Sequence, residues 1–204
     1  MTDSFPRQFA RTQRLTLGEP RNVTVSPDGR RVVFLRSTGG SDQVNALWVL
    51  DVDTGTERLV ADPRTLLSDD DDTELPSEER ARRERAREGA GGITAYATDR
   101  ERTVVAFALA GRLFAGGLVS GRAREIVVDG PVFDPRPDPT ARRIAYGSGR
   151  GLRIAELDGT SRGVAGGDDT EADPVSWGSA EFIAAEEMGR FRGYWWSPDG
   201  TMLA

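Results

Sequence analysis

Histidine, lysine and cysteine are all absent from this chain of 204 residues. Without His, neither a Ser–His–Asp nor a Cys–His catalytic set can be assembled from it, and no imidazole can ligate a metal. Without Lys, the phosphate loop GxxxxGK(S/T) and Schiff-base chemistry are excluded. Without Cys there is no disulfide and no thiolate metal site, which fits a reducing compartment. No stretch approaches the ~18 consecutive apolar residues of a membrane span. The opening residues MTDSFPRQFARTQRLTLGEP lack the apolar core of a signal peptide, so a cytoplasmic location is expected. An excess of positive charge is missing too: the 27 basic residues are all Arg, yet the net charge is -6. Nucleic acid and anionic membrane are therefore not expected partners. No G-x-S-x-G nucleophile elbow occurs, and no metal or other cofactor is expected.

What the chain has in quantity is turns. Its 24 glycines and 11 prolines favour short strands over long helices. The segments SPDGRRVVFLRS (26–37), TDRERTVVAFAL (98–109), PDPTARRIAYGS (137–148) and SPDGTMLA (197–204) share a polar turn followed by a short β-branched or aromatic run. Three of them are followed by a second strand pair, with Thr54-Gly55, Ser120-Gly121 and Asp158-Gly159 in the role of two-residue hairpin turns. Taking Val32, Val104, Ile144 and Met202 as equivalent gives intervals of 72, 40 and 58 residues. A four-stranded propeller blade occupies roughly 40–45 residues, so the first and last intervals are a blade plus an insertion. The fold class expected is all-β: a partial β-propeller with a short surface helix and a small helical insertion. Residues 21–62 form the first blade, 63–92 a helical insertion, 93–172 two further blades, and 173–204 the start of a fourth. Because SPDGTMLA stops part-way through a strand, the chain reads as the N-terminal part of a longer protein.

The first insertion holds Asp69–Asp72, read as a solvated acidic loop, since four consecutive acids lack the alternation and glycine turn of a calcium loop. It also holds a polar helix from about Ser77 to Glu88, with Glu78–Arg82 and Glu79–Arg83 one turn apart. The GAGG that follows at 89–92 reads as a hinge.

The second insertion contains Glu186 and Glu187, side by side, ahead of Trp195-Trp196. Two adjacent glutamates are most often simply solvated. On a strand their side chains diverge, but on a helical turn they stand only ~100° apart and could converge on one cation. SAEFIAAEEM (179–188) is compatible with such a helix, with Ser179 as its N-cap. A converging pair suits an ammonium group such as a peptide α-amine. The adjacent tryptophans are expected on opposite strand faces, one within its blade and one against the neighbouring blade.

The combination AEFIAAEEMGRFRGYWWSPDGTMLA resembles the double-glutamate segment of the dipeptidyl peptidase IV group, within the prolyl oligopeptidase family, in its bacterial form. The repeats and the segment from Glu74 to Tyr96 are similar to that group as well. The resemblance implies an eight-bladed N-terminal propeller joined to a C-terminal α/β-hydrolase domain, which carries the Ser–Asp–His triad and is absent here. It implies that Glu186 and Glu187 clamp the free N-terminus of a peptide substrate, so that the enzyme releases dipeptides, preferentially after Pro or Ala. The chain alone would then be inactive, serving its missing domain, with a homodimer expected of the full-length protein. If the pair is buried, Glu→Gln at either position would cost ~2–4 kcal/mol in kcat/KM. The alternative is a non-catalytic propeller of TolB or WD type, acting as a protein-interaction scaffold.

Overall fold

Each of the four turn signatures is closed by one side chain. The computed structural model describes residues 4–67, 91–166 and 175–204. Within them the backbone N–H of Ser26, Asp99, Asp138 and Ser197 donates to the carbonyl five residues on, at Arg31, Val104, Arg143 and Met202. The side chain of the same residue accepts the returning N–H groups. Ser26 Oγ takes that of Arg31 at 2.9 Å and Ser197 Oγ that of Met202 at 2.9 Å. Asp99 takes those of Thr103 and Val104, both at 2.7 Å, and Asp138 those of Thr140 and Arg143 at 2.6 and 2.9 Å. Serine and aspartate thus build the same turn, because each offers an oxygen that satisfies backbone donors before the strand ladder begins.

These bonds correct the sequence alignment by one residue. The equivalent positions are Arg31, Val104, Arg143 and Met202, at intervals of 73, 39 and 59 residues. Val32 and Ile144 lie one residue further into their strands. A shift of one inverts every face of a strand, so the correction decides which side chains meet.

Three four-stranded antiparallel sheets follow one another along the chain. The first comprises β1 (Arg21–Val25), β2 (Arg31–Arg36), β3 (Val44–Asp51) and β4 (Thr56–Ala61). A two-residue strand, β5 (Gly91–Gly92), runs parallel to β3. The second comprises β6 (Ala97–Thr98), β7 (Val104–Leu109), β8 (Arg112–Gly117) and β9 (Arg122–Ile126), and the third β10 (Phe133–Pro137), β11 (Arg143–Ser148), β12 (Gly151–Glu156) and β13 (Ser161–Ala165). A fourth begins where Trp196 pairs with Leu203. The helices are α1 (Phe5–Arg11), α2 (Pro63–Leu66) and α3 (Phe182–Met188). The architecture is all-β, a partial propeller whose described sheets do not close into a ring. Among the described residues no helix is long and apolar enough to cross a membrane.

The core lies in the joints between sheets. Val33, Leu35, Leu47 and Val49 of the first sheet pack on Val105, Phe107 and Phe114 of the second. Ala106, Leu113 and Ala115, on the opposite face of that second sheet, pack on Ile144, Tyr146 and Ala155 of the third. Ala145, Leu152 and Ile154 then face Tyr194, Trp196 and Leu203. Neighbouring positions along β7 and β11 therefore serve opposite joints, which is why the centres of these strands are apolar and do not alternate with polar residues.

Glycine sits in the hairpins as expected, with positive φ at Gly55, Gly121 and Gly159. The connections are four residues long, however: 52–55, 118–121 and 157–160. The two-residue turns lie one hairpin earlier, at Ala110-Gly111 and Gly149-Arg150. Ala110 and Gly111 both take positive φ, as a type I′ turn requires. The second half of the supposed hinge is instead docked: a Cβ on Gly92 would stand 2.5 Å from the Asn45 carbonyl oxygen. Asp69–Asp72, the helix expected over 77–88 with its two ion pairs, and residues 89–90 lie outside the described residues. The short helices α1 and α2 each start with a cap-type residue, Ser4 or Asp62, and a proline in the first turn.

Candidate functional site

Glu186 and Glu187 stand on α3, in its last turn, so the helical geometry that a converging pair requires is present. Both are exposed, and among the described residues neither carboxylate has a hydrogen-bond or ion-pair partner. The exposure changes the energetics. Truncating a buried charge pair would cost several kcal/mol, whereas exposed pairs are worth only ~0.2–1 kcal/mol each. The larger loss expected for a buried pair therefore does not apply to the chain in this state.

The helix begins later than Ser179. Its N-cap is Glu181, whose two carboxylate oxygens accept from the N–H groups of Ile183 at 3.0 Å and Ala184 at 2.9 Å. Those two bonds hold the Glu181 carboxyl below the ordinary glutamate value of 4.5. Ser179 instead shares a 2.8 Å hydrogen bond with Ser176. The helix ends at Gly189, left-handed at φ 63°, and Arg190 N donates to Ala184 O at 2.9 Å. Ala185 is the only buried residue among the described side chains of the helix.

The return strand fixes the far end. Trp196 packs toward the third sheet, its indole Nε1 donating to Arg136 O at 3.0 Å with the Arg143 guanidinium 5.5 Å from its ring. Trp195 points the other way, as adjacent residues on an extended segment must. It remains 45% exposed and is covered by the Arg192 guanidinium at 5.3 Å, not by its own blade. Arg192 also donates from Nε to Tyr194 O at 2.7 Å. Burial, and then the like charge of Arg136, lower the Arg192 pKa, while Asp134 works in the opposite sense. Arg136 is itself paired with Asp134 at 2.7 Å.

Tyr194 is the residue that sequence reasoning missed. It is 1% exposed, and its hydroxyl lies 2.5 Å from Asp134 O and 2.8 Å from Ala145 O. Burial, with the charge of Asp134 beside it, keeps the phenol protonated well above its ordinary range. The same arrangement recurs between the first two sheets, where the Tyr96 hydroxyl donates toward the carbonyls of Asn22 and Val33. Asn22 and Asp134 both take positive φ, 51° and 45°, inside bulges of β1 and β10. Asn and Asp tolerate that conformation better than other side chains. The signal was present in the sequence: both tyrosines stand three residues before the turn residue, Asp99 or Ser197.

A pair of free carboxylates on an anchored helical turn has the chemistry of a cation receptor. Among the described residues no group of three His, Cys, Asp or Glu side chains comes together around one point. Residues 105–204 match the family model of the dipeptidyl peptidase IV (DPP IV) N-terminal region. That span takes in most of the second sheet, from Val105 onward, the whole third sheet, α3 and the two glutamates, and it is similar to such a region in the portion where the candidate site lies.

Proposed function

We propose that this chain is the N-terminal propeller portion of a serine dipeptidyl aminopeptidase, and that Glu186 and Glu187 receive the α-amine of the peptide substrate. The observation that carries this reading is the presentation of two adjacent carboxylates on one helical turn, unpartnered among the described residues, inside the span matched by the DPP IV N-terminal model. An ammonium between them would relieve their mutual repulsion and gain two charge-assisted hydrogen bonds. The chain holds no His, so bond cleavage belongs to a separate catalytic domain, where a fixed amine would set the distance from the substrate's N-terminus to the scissile bond.

Calorimetric titration of the chain with a short Xaa-Pro peptide, and with its N-acetylated counterpart, tests the reading. The free amine binds more tightly, and its advantage fades as pH rises through the amine pKa of ~8, where the ammonium loses its proton. Equal binding of the two peptides would favour an interaction scaffold over a peptidase element.

A further inference from the structure

Residues 178–193 leave the propeller and return to it through a narrow neck. A Cβ on Gly193 would lie 2.5 Å from the carbonyl carbon and oxygen of Gly178, and 2.5 Å from the Ser179 carbonyl carbon. A Cβ on Gly178, at φ 77°, would lie 2.9 Å from Leu152 and 3.5 Å from the Tyr194 ring. The outgoing and returning backbones can therefore meet only as glycines. Directly beneath them Tyr194 is bolted to the bulge of the third sheet, and Arg192 bridges its carbonyl to the Trp195 ring.

The helix at the tip has little to hold it. Seven residues are too few for a helix to be stable on its own, and one small side chain, Ala185, supplies its buried contact among those described. The tyrosine bolt, by contrast, is a device that the fold uses twice. At Tyr96 it fastens one sheet to the next; at Tyr194 the same joint has the Glu-bearing excursion mounted on it.

We propose that the neck formed by Gly178, Gly193, Arg192 and Tyr194 positions Glu186 and Glu187, so that the neck, and not the helix, sets where an amine is held. This inference rests on the amine-binding reading. These are positioning residues: none of them needs to touch the peptide. A substitution in the neck moves the carboxylates while leaving both charges in place.

The absence of native cysteine makes the test clean. Nitroxides on Val52→Cys and Met188→Cys, both exposed in the parent chain, report the separation of α3 from the first sheet by pulsed electron resonance. With the neck intact the distance distribution is narrow, and Glu186→Gln with Glu187→Gln leaves it unchanged. Tyr194→Phe and Gly193→Ala each broaden it about twofold, as a local release of the excursion requires. In parallel titrations the preference for free over acetylated peptide falls severalfold in the neck variants, with acetylated-peptide affinity unchanged. A purely structural role would lower Tm and leave that preference intact. Should Gly193→Ala fail to fold, Arg192→Ala and Tyr194→Phe carry the test. Unchanged distances in those two, with the fold retained, would overturn the proposal. Broadened distances together with no amine preference in the parent chain would remove the amine-binding reading and leave the neck as the anchor of α3.

Discussion

Asp138 carries a carboxylate with no exposed surface, and it does so because the turn around it supplies donors. Burial pushes its pKa up, but bonds from the Thr140 hydroxyl and from the N–H groups of Thr140, Arg143 and Arg142 outweigh that and hold it below 3.8. A carboxyl depressed in the folded state contributes stability that is complete above its unfolded value and disappears as pH falls through the folded one. Acid unfolding should thus begin below about pH 3.8 with Asp138 as one of its causes. Asp138→Asn leaves one acceptor for donors that two oxygens now serve, and should lower stability by about 1–3 kcal/mol in thermal unfolding at neutral pH. Denaturation followed at pH 7 and pH 3 checks both points: the gap between parent and variant should narrow in acid. At Tyr96, replacement by Phe removes the hydroxyl that joins the first two sheets and leaves the Val33 carbonyl without that donor. The expected loss is about 1–2 kcal/mol, read as a lower denaturant midpoint at unchanged m-value.

At the scale of elements, the hairpins and α3 show what local pattern conveys and what it omits. Gly55, Gly121 and Gly159 were legible because only glycine accepts positive φ without strain. The loop lengths were not, since a type I turn ending in glycine has the same composition as a two-residue turn. The one-residue error at Val32 and Ile144 has a similar origin. β2 and β11 are buried on both faces, so no alternation of polar and apolar residues marks the phase. The helix carrying Glu186 and Glu187 was visible in AEFIAAEEM, but its cap was not, because serine is a favoured N-cap type and glutamate is not, so the pattern points to Ser179 where Glu181 caps. The capping bonds predict a pH response. Glu181 is depressed in the folded state, so the cap is intact above about pH 4.5 and lost as pH falls below it. The amide signals of Ile183 and Ala184 should then shift together in an acid titration, and Glu181→Ala should abolish that coupled shift. In the second sheet, Gly116 lies so close to β9 that a Cβ would stand 2.5 Å from Arg122 O and 2.6 Å from Ala123 Cα. Gly116→Ala should therefore destabilise by about 1–3 kcal/mol, in contrast to Gly163→Ala, which meets nothing within 4 Å.

Across the whole molecule, sheet follows sheet, each joint made of apolar faces and two of the three fastened by a tyrosine. The repeat of turn and strand made this succession readable from sequence, with the phase one residue off in the first and third strands of the set. Of the fasteners only the spacing of each tyrosine from its turn residue was readable, and their partners were not, because each links a side chain to carbonyls far away in the chain: Tyr194 to Asp134 and Ala145, Tyr96 to Asn22 and Val33. No local period encodes such a contact. Phe107, stacked on Phe114 at 5.5 Å and fully buried, sits in the first joint. Its replacement by Ala should cost about 3–5 kcal/mol and loosen the first two sheets together. The candidate site lies on the excursion that leaves and returns at the third joint, beside Tyr194.

The most direct test of amine recognition is a thermodynamic cycle between the peptide's charge and the protein's. Free and N-acetylated peptides are titrated into the parent chain, Glu186→Gln, Glu187→Gln and the double variant. If the two carboxylates hold the ammonium, each single change removes part of the free-amine advantage, by roughly two- to fivefold for an exposed pair, and the double variant binds both peptides alike. If the variants weaken both peptides equally, or neither, the glutamates do not read the amine and the peptidase assignment loses its site.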